Sequence, residues 1–407
     1  MKILFLCHYF PPEVNAPASR THENAKRWVQ AGHGVTVITG APNAPRGEVY
    51  PGYRNRLRQI ETMDGIRVVR VWTYIAANKG TVRRILNYLS YMVSATLAAV
   101  CESRPDVLIA TSPQFFCGWA GLLTHWIRRW PFVLEIRDIW PESITAVGAM
   151  KKGIAIRALE AMELIMYRSA RHIVTVGQGY KDNLAAKGVP PAKMTVIYNG
   201  VDLERFRIMP KDSAFVARYG LEGRFVCGYI GTVGMAHALE IMLRAATTTQ
   251  DRGWIFLIVG DGARLDELKA EARRRGLDNV VFTGRLDKGE MPAAWSALDA
   301  CLIHLSRSPL FATVIPSKMF EAMGMGIPVL MGVEGESLSL VLEAGAGIAV
   351  VPENADSPMH GCERVAAAGP DVFRRAGRDF VERKFSRDAL AVAYLEMLRR
   401  VAANQAT

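Results

Sequence analysis

Cysteine is sparse in this sequence. Its six thiols, Cys7, Cys101, Cys117, Cys227, Cys301 and Cys362, are scattered over 407 residues, and no two stand at CxxC or metal-ligand spacing. That pattern excludes a disulfide framework and a zinc site and points to a reducing cytoplasm. Asp-x-Asp pairs are absent and the histidines lack ligand spacing, so no metal and no other cofactor is expected. No apolar run reaches the ~20 residues that a membrane helix needs. The nearest candidate, Ile85–Val100, spans 16. The opening MKILFLCHYFPPE lacks a small-residue cleavage site and reads as a first strand, not a leader.

Two binding signatures are missing as well. No GxGxxG follows the first strand, and the second ends in Thr39-Gly40 without a ribose-binding acid, which disfavours a nicotinamide oxidoreductase. There is no GxxxxGK[ST] loop, no nucleic-acid motif and no interleaved aromatic platform, so nucleic acid is not an expected partner.

What is present is globular: 50% hydrophobic and 22% charged residues, with 35 Gly and 20 Pro. The length suits two large domains. Charge is split unevenly. Residues 1–200 carry 25 Lys+Arg against 13 Asp+Glu, and residues 201–407 carry 25 against 26, so the net +11 belongs to the first half. A basic half beside a neutral one suggests that one domain faces an anion, such as an acidic membrane surface or a phosphorylated substrate.

Short apolar runs alternate with helical stretches. In the first half they are Lys2–His8, Val35–Thr39, Ile66–Trp72, Val107–Ala110, Phe132–Ile136 and His172–Val176; in the second, Phe225–Ile230, Trp254–Val259, Val280–Thr283, Ala300–His304, Pro328–Met331 and Gly347–Val351. This predicts an α/β fold of two doubly wound Rossmann-like domains with parallel sheets. Domains are expected over 1–195 and 196–385. A C-terminal helix over 386–407 is free to cross back to the first. Ligands of such folds bind at the carboxyl ends of the strands, and two facing domains make a cleft there.

The second half carries loops suited to a nucleotide diphosphate. Phe225–Ile230 runs into Gly231-Thr232-Val233-Gly234, with a helix expected near Ala236. Glycines there let backbone N–H groups approach a phosphate at a helix start. The next strands end in Val259-Gly260-Asp261-Gly262 and Thr283-Gly284-Arg285. Each loop alone reads as a turn; three at successive strand ends read as one ligand-binding edge. Pro316 can open a helix whose first turn presents Ser317 and Lys318, with Glu321 on the same face as Lys318. The Lys suits a diphosphate and the Glu suits ribose hydroxyls; the plainer reading is a surface salt bridge. In the basic half Arg137-Asp138 end the strand Phe132–Ile136. Asp138 is the acid–base candidate, its pKa expected low beside Arg137, and Glu142 is the second choice. The plainer reading there is an Arg–Asp pair or a helix cap.

Together these motifs resemble the family 4 glycosyltransferases, which have the GT-B fold of two facing Rossmann-like domains. Tyr9–Thr39 is similar to their opening, with Pro11-Pro12-Glu13, Arg20, a helix and Gly32-His33-Gly34-Val35-Thr36-Val37 in place. Tyr198-Asn199-Gly200-Val201-Asp202 resembles their interdomain segment, and the glycine loops and Glu321–Val329 resemble their donor loops in order. Glu135–Ser143 and Val314-Ile315-Pro316-Ser317-Lys318 resemble bacterial surface-polysaccharide enzymes, N-acetyl-L-fucosamine transferases among them. The resemblance implies metal-independent, retaining transfer of an N-acetylated (deoxy)hexosamine from a nucleotide diphosphate, UDP by default. The implied acceptor is a growing, lipid-linked polysaccharide at the inner face of the plasma membrane, as in exopolysaccharide or lipopolysaccharide O-antigen synthesis. It assigns Gly231, Thr232, Gly234, Gly260, Asp261, Gly262, Gly284, Arg285, Pro316, Ser317, Lys318 and Glu321 to the donor nucleotide. It assigns Glu13, Asn15, Ala16, Arg20, Arg137, Asn199, Thr313, Val314 and Ile315 to the donor sugar or the acceptor. Asp138, Lys318 and Glu142 are the implied catalytic groups.

There are departures. Thr313 stands where the family has a Glu, Met235–Leu239 lacks its usual Arg and Lys, and Ala16-Pro17 replaces its Gly-Gly. Lys318 with Arg307 is then expected to supply the diphosphate charge. Lys79, Arg83 and Arg84 precede Ile85–Val100, and Trp126, Arg128, Arg129, Trp130, Lys151 and Lys152 follow. That grouping suits peripheral attachment to an anionic bilayer, or else an ordinary buried helix with a solvated basic cap. A nucleotide-sugar 2-epimerase of the same fold, or a non-catalytic nucleotide-sugar-binding protein, are the alternatives.

Overall fold

The computed structural model describes all residues except 45, 77–80, 147–152, 355, 370 and 404–407. Lys79, Lys151 and Lys152 of the basic flank therefore lie outside the described residues. The chain divides into two compact units, Met1–Tyr198 with Leu390–Thr407, and Asn199–Ala389.

The first unit is built on β1 (Lys2–Leu6), β2 (Gly34–Gly40), β3 (Arg58–Met63), β4 (Ile66–Val71), β5 (Val107–Thr111), β6 (Phe132–Ile136), β7 (His172–Thr175) and β8 (Met194–Val196). They form one sheet in the order β3-β4-β2-β1-β5-β6-β7-β8. All neighbours run parallel except β3, which pairs antiparallel with β4. Strands β5 and β6 are buried at every position. That explains their nearly continuous apolar reading, interrupted by a charge at Glu135, since helices cover both faces of a parallel sheet. The apolar runs missed β3, whose RQIETM alternates in exposure at the sheet edge, and β8, which has three residues.

The second unit holds β9 (Val226–Ile230), β10 (Ile255–Val259), β11 (Val280–Gly284), β12 (Ala300–His304), β13 (Val329–Gly332) and β14 (Gly347–Ala349). Their order is β11-β10-β9-β12-β13-β14, all parallel. Strand order reverses beside β1 in one unit and beside β9 in the other, and such switch points are where doubly wound sheets bind ligands.

The last helix, Arg387–Ala403, leaves the second unit, and from Leu390 it belongs to the first. Tyr394, Leu398 and Val401 are buried in the first unit's core with Trp28, whose indole N–H donates to the Ala391 carbonyl at 3.1 Å. The expected Ile85–Val100 helix starts earlier, as Thr81–Val100. It exposes Val82, Leu86, Val93 and Leu97, which share one face at 100° per residue. Among the described residues no helix is long and apolar enough to cross a membrane. All six cysteines are free thiols, five of them buried.

Candidate functional site

The glycine loops of the second unit are built against each other. Gly260 has φ +141°, and a Cβ there would overlap the Gly231 carbonyl; one on Gly262 would overlap the Val233 carbonyl. The loop after β10 thus lies backbone to backbone on the loop after β9. Their amides are already used. Gly231 N–H donates to Val259 O at 2.9 Å, Gly260 N–H to Gly284 O at 2.9 Å, and Val233 N–H to Asp261 O at 3.0 Å. Gly262 N–H donates to Asp261 Oδ1 at 2.7 Å. This corrects the expectation that the Gly231 N–H is offered to a phosphate; Gly231, Gly260 and Gly262 hold the shape of the edge. Thr232 is exposed, and its carbonyl accepts the Tyr229 hydroxyl at 2.6 Å. No α-helix begins at Ala236 either. Met235–His237 is a 3-10 turn after Gly234, and the helix opens at Glu240, an acid that opposes an anion there.

The charge at this edge comes from Lys318, first residue of the helix Lys318–Met325. Its Nζ is closed off from solvent and has no hydrogen-bond acceptor. It stands 3.7 Å from the centre of the Tyr229 ring and lies against Gly231, where a Cβ would come within 3.0 Å of it. Burial pulls its pKa down to about 8. Leaving a buried ammonium without an acceptor is costly, so the position favours an incoming anion. His237 stands beside it. Burial first, then Lys318, push its pKa down to about 3, so the ring is neutral, and its Nδ1 also lacks a partner. The His237 carbonyl accepts from His304 Nδ1 at 2.8 Å. Sequence reasoning missed Tyr229 and His237; a histidine directly after the Gly231–Gly234 loop was the available signal.

The other donor-side residues fall around this centre. Pro316 does not open the helix, which starts two residues later; the carbonyls of Pro316 and Ser317 accept from Met319 and Phe320. Glu321 is half-buried on the same helix, and Asp261 and Arg285 are exposed at the ends of β10 and β11. Gly284 has φ +71°, which favours glycine. Thr313 ends a 3-10 turn and donates to Leu310 O at 2.7 Å. The Val314 carbonyl accepts from Ser337 Oγ at 2.6 Å, and Ile315 is buried. Arg307 is not part of the centre as expected: it makes a half-exposed pair with Glu334 at 3.1 Å.

In the first unit the carboxyl edge is held by paired charges. Arg20 donates from Nε to Glu135 Oε1 at 3.0 Å and from its terminal nitrogens to the carbonyls of Tyr198 and Ile197 at 2.7 and 3.0 Å. Burial acts to raise the Glu135 carboxyl, but Arg20 and Arg137 outweigh it and hold it below the ordinary range. Glu13 accepts the backbone N–H groups of Asn43 (2.9 Å), Ala44 (2.8 Å) and Phe10 (3.4 Å). Asn15 caps the helix Ala16–Gln30 by accepting from Ala18 N–H at 2.9 Å, and Ala16 is that helix's first residue. Glu142 is tied to Lys187 at 2.7 Å and Asn183 at 3.1 Å. Glu13, Asn15, Arg20 and Glu142, expected at a substrate, are thus engaged by the protein itself. Asn199 is half-buried and begins the second unit.

Asp138 is the carboxyl that remains. Burial raises its pKa, although the Ser143 hydroxyl and the Ile139 N–H act to lower it. This corrects the low value expected beside Arg137, whose charge bears on Glu135 instead. The Arg137 guanidinium is itself pulled down to about 10 by burial, and its Nε and Nη1 have no hydrogen-bond partner. Both backbone N–H groups of this pair donate to Ser112 Oγ, at 2.6 and 3.2 Å, which fixes the turn at the end of β6.

Two family models match the chain: the glycosyl transferase 4-like domain over residues 15–200 and glycosyl transferases group 1 over residues 224–367. The putative colanic acid biosynthesis glycosyl transferase WcaI of Escherichia coli is 25% identical over 413 residues, covering 98% of this chain and 100% of that protein. The probable glycosyltransferase WbjE of Pseudomonas aeruginosa is 27% identical over 64% of this chain and 66% of its own. Among solved structures, HepE of Anabaena in complex with UDP-glucose superposes with a TM-score of 0.74 at 18% identity, covering 98% of this chain and 100% of that one.

Proposed function

The chain belongs to the glycosyltransferases, and from that premise we propose that it builds a polysaccharide by moving a sugar from a nucleoside diphosphate to a saccharide acceptor. The observation that carries the reading is the Lys318 ammonium, buried at the switch-point edge of the second unit with no acceptor of its own. A diphosphate there would complete its hydrogen bonds and receive its charge as the leaving group departs.

The rest of the reading follows in steps. UDP is the nucleotide, supported by the likeness in fold to HepE, whose structure holds UDP-glucose. The bond from the anomeric carbon to the phosphate oxygen breaks and one to the acceptor oxygen forms on the same face. The departing phosphate takes the acceptor's proton, giving retention. Lys318 serves the developing charge without a metal. Asp138, which has no salt-bridge partner among the described residues and whose carboxyl pKa burial raises, orients the acceptor hydroxyl on the first unit. The donor sugar is an N-acetylated hexosamine, in line with the resemblance of Val314–Lys318. The acceptor is lipid-linked, and the first unit lies on an anionic bilayer at the cytoplasmic face. Exposed Arg83 and Arg84 beside the apolar stripe Val82, Leu86, Val93 and Leu97 support this.

Calorimetry with UDP, GDP, ADP, TDP and NAD, with and without magnesium, tests it. One nucleoside diphosphate should bind, indifferent to magnesium, and Lys318→Ala should lose most of that affinity. A response to NAD alone, or to none, would overturn the reading.

A further inference from the structure

A cavity of about 20 Å³ lies beside Asp138 in the first unit. The space needed for one water by the same measure is about 10–15 Å³. Its walls are Phe115, Leu134, Ile136, Trp140 and Met166, with Gly118 among them. A Cβ on Gly118 would come within 3.0 Å of Met166 Sδ and 3.2 Å of Leu134 Cδ1, so any larger residue crowds the space.

One polar group at this cavity has nothing to bind. Gln114 is 6% exposed. Its Oε1 accepts the Cys117 N–H at 2.9 Å and caps the helix Phe115–Arg128, which identifies the other end as the amide nitrogen. That Nε2 is buried without an acceptor. The neighbouring polar groups are already engaged. Ser112 Oγ receives two backbone N–H groups, and Glu163 is held by the Tyr167 hydroxyl at 2.6 Å and by Lys187 at 3.0 Å.

A methyl-sized apolar slot, an amide donor in its wall and a carboxyl beside it match the acetamido substituent of an amino sugar. We propose that the slot seats the N-acetyl group of the acceptor's terminal sugar. The methyl packs between Phe115, Trp140 and Met166, the carbonyl oxygen accepts from Gln114 Nε2, and a ring hydroxyl is left for Asp138. The inference rests on the transferase reading and names its acceptor class: a saccharide ending in a 2-acetamido-2-deoxy sugar.

The test is saturation-transfer NMR on the full chain with methyl glycosides of N-acetylglucosamine and N-acetylgalactosamine against those of glucose and galactose. UDP binding is followed by calorimetry on the same samples. An acetamido glycoside should bind with its methyl most strongly saturated, and its parent hexoside about tenfold more weakly, the weight of one buried hydrogen bond. Gln114→Glu keeps the cap but removes the donor; Gly118→Ala crowds the slot. Both should lose the methyl signal and keep UDP binding. Equal binding of hexoside and acetamido sugar, no acetamido binding at all, or a methyl signal surviving in both variants would overturn the proposal. Failure of UDP to bind would instead break the proposed function, since it reads the second unit alone.

Discussion

The carboxyl edges of the two sheets handle charge in opposite ways. In the first unit most buried ions are neutralised from within: Arg20 by Glu135, Glu163 by Lys187, Glu13 by three backbone N–H groups, while Arg137 keeps two guanidinium nitrogens without a partner. In the second, the backbone of the glycine loops is satisfied by itself, and the Lys318 ammonium is left without an acceptor. One edge is a pre-formed frame around a carboxyl that burial keeps from ionising early. The other is a cation held ready for an anion. In the function proposed above the difference separates two tasks: the first unit would position a neutral hydroxyl, and the second would receive a departing charge.

The sharpest break of this comparison is at Asp138. Asp138→Asn should lower turnover by about 100-fold, the cost of misplacing the acceptor hydroxyl, while UDP affinity by calorimetry stays unchanged. Because burial raises the Asp138 pKa, activity should fall on acidification at a pH above the ordinary carboxylate range, and the Asn variant should lose that limb of the pH–rate profile.

Next is Lys318→Met, which should weaken UDP by about 100-fold, the cost of one charged hydrogen-bond donor. The same change should stabilise the empty protein at pH 7 by about 1–3 kcal/mol in a thermal melt. The folded pKa of about 8 lies below the unfolded value, so the unfolded chain binds more protons between them. The penalty is therefore complete below pH 8 and fades as pH rises toward the unfolded value. UDP affinity should weaken above pH 8 as the ammonium is lost.

Gly260→Ala should destabilise the second unit by about 2–3 kcal/mol through its clash with the Gly231 carbonyl, visible as a lowered melting temperature. The smallest effect is at the surface. Neutralising Arg83 and Arg84 should reduce binding to anionic vesicles about fivefold per residue, with UDP binding untouched. Unchanged vesicle binding would remove the membrane from the proposal.

The sheets were legible because strands covered on both faces read as nearly continuous apolar runs; Phe132–Ile136 and Ala300–His304 match to the residue. The edge strand Arg58–Met63 was not, since pairing on one side only leaves its side chains alternating with solvent. Lys318 was legible from its place before Glu321. The roles of Glu13, Asn15 and Arg20 were not, because residue type shows a capacity to bind and not what already occupies it. Arg20 reaches a strand 115 residues away, and Glu13 reaches amides 30 and 31 residues on. The orphaned Gln114 amide is legible only by subtraction, once its other end is known to cap a helix.

The return of the last helix to the first unit sets an order of completion. Strands β1 to β8 leave the ribosome first, yet Trp28 meets its acceptor and its Tyr394 neighbour only after Leu390–Val401 are made. The second unit is continuous from Asn199 to Ala389 and lies in between. At ~5–20 residues per second, the nascent first unit waits roughly 10–40 s with part of its core face uncovered. The domain begun second is the one finished first, and the last helical turns close the domain that was started at the beginning.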